Sequence, residues 1–267
     1  MALIKLFIKG YANYLKSMLE YRPAFFTDML ANIIRYSAMY FGLWILMDKF
    51  KLIQGWTMWE VLLIYNLILV SYALCSFFFR TPMFNDIENL VRTGRFDIVL
   101  IRPMNALLYT MLGRPTIAYF GHLLLGIVVF SICFSHLDIE WTFLKVLFLI
   151  LTIVGAALIY AAMYLITATL GFWIVRLETV LTTFMISGEF IHYPVNIYTK
   201  FIQFILTFVL PYAFVNYYPA HYLLGKDTGN LFHPVLQFLT PVVGVILFAL
   251  AYWFWTIGVN KYESTGS

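Results

Sequence analysis

Several apolar runs in this chain are too long for the core of a soluble domain. The run from Trp141 to Val175 carries one charged residue, Lys145. About 20 apolar residues in a helix are enough to cross the ~30 Å hydrocarbon core of a bilayer. Charged residues make up 11% of the sequence, whereas soluble domains carry about 25%. The sequence therefore predicts an all-α integral membrane protein.

Six apolar segments are long enough to serve as transmembrane helices. They cover Phe25–Met47, Trp56–Phe79, Leu107–Leu137, Trp141–Val175, Leu177–Tyr198 and Pro234–Val259. A further segment, 201–224, is apolar but interrupted by Pro211 and Pro219. A broken helix is tolerated in a membrane only where protein or water covers the backbone groups it frees. We therefore predict a re-entrant helix pair at 201–224, before the last span.

The distribution of Lys and Arg supports this topology, because cytosolic loops carry an excess of both. With six spans and the N-terminus inside, most Lys and Arg residues fall on the cytosolic side, and the outer loop 136–140 has none. We predict a multi-pass protein of the inner or plasma membrane with both termini cytosolic. The re-entrant segment 201–224 then faces outward. No second soluble domain is evident, so residues 1–267 are predicted to form one membrane domain.

Residues 1–23, before the first span, follow a different pattern. Apolar and polar residues take opposite sides of a helix: Ile4, Ile8, Tyr11, Leu15 and Met18 against Lys5, Lys9, Asn13, Lys16 and Glu20. A helix with one apolar and one basic face is suited to lying in the membrane interface. We predict an N-terminal amphipathic interfacial helix, and the alternative is a soluble surface helix.

The chain lacks the usual signatures of an active site. Its five histidines are scattered, and no two have metal-ligand spacing on one helix face. The nearest approach to a phosphate loop, Gly94-Arg-Phe-Asp, lacks the Lys-Ser/Thr ending. The net charge of +4 requires no nucleic-acid partner. We therefore predict no catalytic residue, no metal site and no cofactor on this chain; if it works with ATP, another chain must bind the nucleotide.

Glu189 and His192 form a polar pair within the fifth predicted span. An ionisable group deep in a span is costly and is usually functional or paired. The two residues are three positions apart, so their side chains can meet on one face of a helix. One interpretation is a fixed hydrogen bond that braces the neighbouring re-entrant segment. The other is a polar group that lines a substrate route.

Charged residues gather in the region 80–103, between the second and third predicted spans. They are Arg80, Asp86, Glu88, Arg92, Arg95, Asp97 and Arg102. An ordinary solvated loop on the positive side of the membrane accounts for the arginines. It does not account for the acids and apolar residues between them. We predict that this region contacts a partner in the cytosol.

Four stretches of the chain, in order, carry a family resemblance. They are Tyr21-Arg-Pro-Ala-Phe-Phe, Asp86-Ile-Glu-Asn-Leu-Val-Arg-Thr-Gly-Arg-Phe-Asp-Ile-Val-Leu-Ile-Arg-Pro-Met-Asn105, Leu210-Pro-Tyr-Ala-Phe-Val-Asn-Tyr-Tyr-Pro-Ala220 and Trp255-Thr-Ile-Gly-Val-Asn-Lys-Tyr-Glu-Ser-Thr-Gly-Ser267. With these stretches the chain resembles the membrane subunits of ABC-2-type transporters, in particular a bacterial permease branch with six spans.

The resemblance implies that ATP binding and transport are carried out by different subunits. A separate cytosolic subunit would bind ATP and Mg²⁺, and two permease subunits, identical or paralogous, would sit side by side in the lipid membrane. The region 80–105 would contain the coupling helix that docks into the ATPase. Charges that set the register of docking would be Asp86, Glu88, Arg92, Arg95 and Asp97. Apolar contacts would come from Ile87, Leu90, Val91 and Phe96, with Gly94 ending the helix and Arg102 and Pro103 completing the region.

The resemblance also implies that the re-entrant pair closes the translocation route on the outer side. The residues that line or brace this route would be Glu189, His192, Pro211, Asn216, Tyr217, Tyr218 and Pro219. The expected function is a permease that moves a hydrophobic or amphipathic substrate outward, with ATP hydrolysis on the partner chain. Two alternatives remain: an ion-coupled secondary transporter that uses Glu189, and a membrane scaffold or sensor that transports nothing.

Overall fold

The computed structural model describes residues 22–81, 87–111, 119–174, 177–227 and 232–263, and its elements there are helices. The α-helices are α1 (Arg22–Phe50), α2 (Met58–Thr81), α3 (Ile87–Arg92), α4 (Phe96–Leu100), α5 (Ala106–Met111), α6 (Phe120–His136), α7 (Phe143–Leu170), α8 (Glu178–Glu189), α9 (Lys200–Phe204), α10 (Tyr217–Leu224) and α11 (Thr240–Asn260). Short 3-10 helices cover Phe190–His192, Val195–Ile197, Pro211–Phe214 and Pro234–Phe238, and a π-helix covers Ile205–Val209. The predicted interfacial helix lies almost entirely outside these ranges.

Four helices in the described ranges are long and apolar enough to cross a membrane. They contain the stretches Met29–Phe50, Met58–Phe79, Phe143–Leu170 and Thr240–Asn260. Before the last of them lies a pair of helical segments, Lys200–Val209 and Pro211–Leu224, joined at a bend. The number of spans rises to five if this bent pair is counted as one span. The apolar helix α6 is shorter, with 17 residues. The prediction of an all-helical membrane protein is confirmed, whereas six full-length spans are not seen within the described ranges.

The fifth predicted span, Leu177–Tyr198, is shorter than expected. Helix α8 ends at Glu189, and a 3-10 turn follows it as far as His192. Tyr193 then takes an extended backbone. Pro194 explains this conformation, because proline disfavours the helical region for the residue before it and cannot continue a helix.

Helices α2, α6, α7 and α11 pack together as the centre of the bundle. The membrane-length stretch of α2 is 78% buried within the chain, against 6% for that of α1. Helices α7 and α11 touch through their backbones at Gly155 and Gly244. A Cβ atom on Gly155 would lie 2.7 Å from Cα of Pro241, so this crossing requires glycine.

A buried amide ties α1 and α6 to α2. The hydroxyl of Tyr40 donates to Oδ1 of Asn66 over 2.7 Å, and Nδ2 of Asn66 donates to the carbonyl of Gly126 over 2.9 Å. Asn66 is fully buried, and a buried amide left without partners would cost about 1–3 kcal/mol. These two bonds therefore fix the register of three helices.

The bundle has two ends, which differ in composition. We call the end formed by 53–60, 190–198 and 217–227 the cap end, and the end formed by 87–105, 172–177 and 252–262 the loop end. The segments on either side of the bent pair both reach the cap end: Nδ2 of Asn196 donates to the carbonyl of Gln54 over 3.2 Å, and Nζ of Lys226 donates to that of Gly55 over 3.0 Å. The pair bends by 76° and returns to the end at which it started, as a re-entrant pair does.

Candidate functional site

A cavity of about 390 Å³ opens between α1, α2, α7 and α8. Its wall is rich in tyrosine: Tyr36, Tyr65, Tyr72, Tyr160, Tyr164 and Tyr212. Tyr212 belongs to the bend of the re-entrant pair, and the other five come from three long helices. The remaining wall is mainly apolar but includes Arg35, Glu189 and His192. The cavity thus combines aromatic rings with ionisable groups.

Glu189 and His192 meet at one side of this cavity. Nδ1 of His192 lies 2.9 Å from Oε2 of Glu189, and the His192 ring lies 5.0 Å from that of Tyr65. Glu189 is the last residue of α8, near the middle of the predicted span 177–198, and its side chain is 63% exposed within the chain. Pro194 limits how far a helix can continue, so the α-helix stops within the predicted span.

Arg35 approaches the cavity from α1. Its Nη2 donates to Oδ1 of Asn32 over 3.1 Å, and its guanidinium carbon lies 4.9 Å from the centre of the Tyr36 ring. Sequence reasoning did not assign Arg35 or the tyrosines to a site. The sequence feature that points to Arg35 is its position inside a predicted span, because arginines there are rare and usually face a cavity or a partner.

The predicted residues of the re-entrant pair are buried but do not line the cavity. They are Pro211, Asn216, Tyr217, Tyr218 and Pro219. Nδ2 of Asn216 donates to the carbonyl of Ile191 over 2.7 Å, and the hydroxyls of Tyr218 and Thr207 lie 2.9 Å apart. The Tyr217 ring lies 5.8 Å from that of Trp56. These contacts brace the re-entrant pair against α2 and the chain after α8.

Lys226 joins the re-entrant pair to the start of α2. Its Nζ lies 2.9 Å from Oε1 of Glu60 and 4.7 Å from the centre of the Trp56 ring. The two charged side chains are 20% and 15% exposed. Oε2 of the same carboxylate accepts from the backbone N–H of Thr57 over 2.7 Å. The ion pair is therefore held by several other contacts at the cap end.

At the loop end, two residues predicted to contact the partner are buried inside this chain. Ile87 and Phe96 have no exposed surface. The Phe96 ring lies 5.1 Å from both Phe172 and Tyr262, which follow α7 and α11. The expectation that Ile87 and Phe96 offer apolar contacts to another subunit is therefore wrong. The two residues lie on separate helices, α3 and α4, and each side chain is buried against other parts of this chain.

Other predicted residues of the loop end position α3 and α4. Oε2 of Glu88 accepts from the backbone N–H of Leu177 over 3.1 Å, which links α3 to the start of α8. Gly94 separates the two short helices with a φ of +70°, a conformation that favours glycine. Leu90, Val91 and Asp97 are half-buried. Asp86 lies outside the described residues.

The exposed surface of the loop end carries cations and apolar side chains. Arg92, Arg95, Arg102 and Pro103 are exposed. Between them lie Ile98, Leu100 and Ile101, which are also exposed, Ile101 by 77%. Sequence reasoning missed these three apolar residues, although each lies within the charged region. We call this surface, from Arg92 to Pro103, the basic face.

Comparison with known proteins places the chain in a family. The profile described as ABC-2 family transporter protein matches residues 33–266, which is most of the sequence. Among curated proteins, a search finds none that matches the chain. The match spans the basic face, the tyrosine-lined cavity and the re-entrant pair. With its apolar helices, the chain is a multi-pass membrane protein that belongs to the ABC-2 transporter family.

Proposed function

We propose that this chain is the permease subunit of an ATP-driven exporter, powered by a separate ATP-binding cassette subunit that docks on the basic face. The observation that carries this proposal is the combination of buried and exposed residues in α3 and α4. Ile87 and Phe96 anchor these helices in the chain, while Arg92 and Arg95 point outward. An anchored surface with cations and apolar residues suits docking, because charges set orientation and apolar contacts add affinity.

The anchoring also supplies a mechanical connection. Phe96 packs on the residues that follow α7 and α11, and Glu88 holds the N–H of Leu177 just before α8. Asn105 donates to the hydroxyl of Tyr252 on α11 over 2.7 Å. A displacement of the basic face by a docked ATPase would thus be carried to α7 and α8, which line the cavity. No catalytic group or nucleotide on the permease is required by this mechanism; ATP and Mg²⁺ belong to the partner.

In the proposed topology the loop end faces the cytosol and the cap end faces outward. Both termini are then cytosolic, and six spans include α6 with the residues before it and α8 with the short turns after it. The re-entrant pair of 201–224 closes the outer end, and the cavity is the route of a hydrophobic or amphipathic substrate. The scarcely buried α1 offers a face for a second permease subunit, identical or paralogous.

Charge reversal of the basic face tests the docking. The double variant Arg92→Glu/Arg95→Glu should reduce co-purification of an ATP-binding cassette subunit from native membranes by at least about tenfold, because like charges at a docking surface repel. The matched control is Lys49→Glu/Lys51→Glu, which reverses two exposed charges near the other end of the bundle. The cassette subunit would be identified by mass spectrometry, and ATP hydrolysis in the purified complex would be measured with and without vanadate.

Two results would contradict the proposal. Unchanged co-purification in the basic-face variant would place docking elsewhere. Transport by reconstituted permease without any ATPase, abolished by an uncoupler, would indicate an ion-coupled secondary transporter instead.

A further inference from the structure

The cavity wall restricts the chemistry of a bound molecule. A purely apolar ligand would take water away from Arg35 and Glu189, whose contacts with Asn32 and His192 satisfy only part of each charged group. A strongly hydrophilic ligand would be dehydrated against Met39, Ile68 and the other apolar residues of the wall without compensation. The cavity therefore suits an amphipathic molecule with a charged head.

The charges of the cavity are opposite and lie on different helices. Arg35 is on α1, and Glu189 is at the end of α8. Tyr65 lies between them: its hydroxyl donates to Sδ of Met39 over 3.3 Å, one turn along α1 from Arg35, and its ring lies 5.0 Å from His192. The contact of Glu189 with His192 uses Oε2, so Oε1 can face a cation.

The aromatic wall complements this separation of charge. A ligand cation within about 6 Å of the face of a tyrosine ring is attracted by its quadrupole. A phosphate or sulfonate oxygen forms short, strong hydrogen bonds to a guanidinium. A cation without an anion would meet the repulsion of Arg35, and an anion without a cation would meet that of Glu189. A head group that carries both charges satisfies both sides.

We infer that the cavity binds a zwitterionic amphipath, with its cationic group among the tyrosine rings near Glu189 and its anionic group at Arg35. The volume of about 390 Å³ is within the range of ligand pockets and suits a head group with the start of its tail. This inference rests on the proposed role of the cavity as the substrate route, and it adds the class of the substrate.

A photolabelling competition tests the inference on the purified full-length permease. The chain is placed in nanodiscs of phosphatidylglycerol and labelled with a photoactivatable decylphosphocholine. Unlabelled competitors share the same tail: decylphosphocholine, decyltrimethylammonium and decyl phosphate. We expect label on peptides of α1, α2 and α8, and we expect the zwitterion to compete at a concentration at least about tenfold lower than either ion.

Two charge variants then identify which residue binds each charge of the head group. Arg35→Gln should make decyltrimethylammonium compete as well as decylphosphocholine, because the repelling cation is gone. Glu189→Gln should make decyl phosphate compete as well as decylphosphocholine, because the repelling anion is gone. Equal competition by all three compounds in the unmodified chain, or an unchanged preference in both variants, would overturn the inference.

A third variant blocks the cavity without changing charge. Gly188 lines the cavity, and a Cβ atom there would meet nothing within 4 Å, so Gly188→Leu fills free space. The matched control is Gly42→Leu, where a Cβ atom also meets nothing and which is not part of the cavity wall. We expect at least about tenfold less labelling in Gly188→Leu and none of this loss in Gly42→Leu, since only the first occupies the ligand volume.

This test is independent of the ATPase. Because binding is measured on the permease without nucleotide, specific labelling with no cassette subunit at the basic face would refute the proposed function and retain the site. Docking of a cassette subunit together with labelling that Gly188→Leu does not reduce would refute the site and retain the function.

Discussion

The two ends of the bundle are held together in different ways. At the cap end, polar groups from distant segments satisfy one another: Lys226 with Glu60, Asn216 with the carbonyl of Ile191, and Asn196 with that of Gln54. At the loop end, a buried aromatic ring holds α4, and the arginines of the basic face point outward. The cap end is therefore closed by its own contacts, whereas the loop end leaves the arginines of the basic face exposed.

The largest effect is expected for the anchor of the loop end. Phe96→Ala removes a fully buried ring that contacts Phe172 and Tyr262, and it should destabilise the chain by about 3–5 kcal/mol. The measurement is equilibrium unfolding of the purified protein in mixed micelles. The exposed Ile98 lies two residues away on the basic face, and Ile98→Ala serves as the control, with a loss within about 0.5 kcal/mol. Similar losses for both variants would mean that Phe96 is not an anchor.

The next largest effect is expected for the ion pair of the cap end. Lys226→Met leaves the half-buried carboxylate of Glu60 without its cation, and it should cost about 2–3 kcal/mol of unfolding free energy. A double-mutant cycle with Glu60→Gln isolates the interaction between the two side chains.

The pair between Lys51 and Asp48 is the control for that cycle. It has a similar distance, 3.1 Å, but its side chains are 77% and 69% exposed. An exposed pair contributes about 0–1 kcal/mol, so its cycle should give a much smaller interaction energy. Equal interaction energies for the two pairs would show that burial at the cap end does not strengthen the contact with Glu60.

The sequence predicts the helical class and the bent pair well, because both depend on local composition. Long apolar runs form helices in a membrane, and the pair bends next to Pro211, whereas Pro219 is accommodated in the first turn of α10. It predicts less well where a helix ends, because α8 stops at Glu189, five residues before Pro194. The sequence shows that Ile87 and Phe96 are apolar residues within the charged region, but it does not show that other parts of the same chain cover them.

The cavity is harder to predict than the basic face for a related reason. Charged residues of the basic face are neighbours in the sequence, so their clustering is visible without a structure. The wall of the cavity comes from α1, α2, α7, α8 and the bend at Tyr212, which are far apart in the chain. Tyrosine is common throughout the sequence, and only the packing of these helices brings six of its rings together.

A smaller loss is expected from the buried amide that braces the re-entrant pair. Asn216 is fully buried; its Nδ2 donates to the carbonyl of Ile191, and its Oδ1 accepts from the N–H of Tyr217, each over 2.7 Å. Asn216→Ala leaves both backbone groups without these partners and should cost about 2 kcal/mol. Unfolding measured as above gives the value, and Asn216→Asp should cost at least as much, because it places a carboxylate in a fully buried site against the carbonyl of Ile191.

The smallest effect is expected from the other amide of the cap end. Nδ2 of Asn196 donates to the carbonyl of Gln54 over 3.2 Å, while its buried Oδ1 has no hydrogen-bond partner in the described part of the chain. Asn196→Ala loses the bond and also removes an unsatisfied oxygen, so the two contributions oppose each other and the net change should be within about 0.5 kcal/mol. The same unfolding experiment measures it beside Asn216→Ala. A loss from Asn196→Ala as large as that from Asn216→Ala would mean that the contact with Gln54 stabilises the cap end as strongly as the buried amide of Asn216 does.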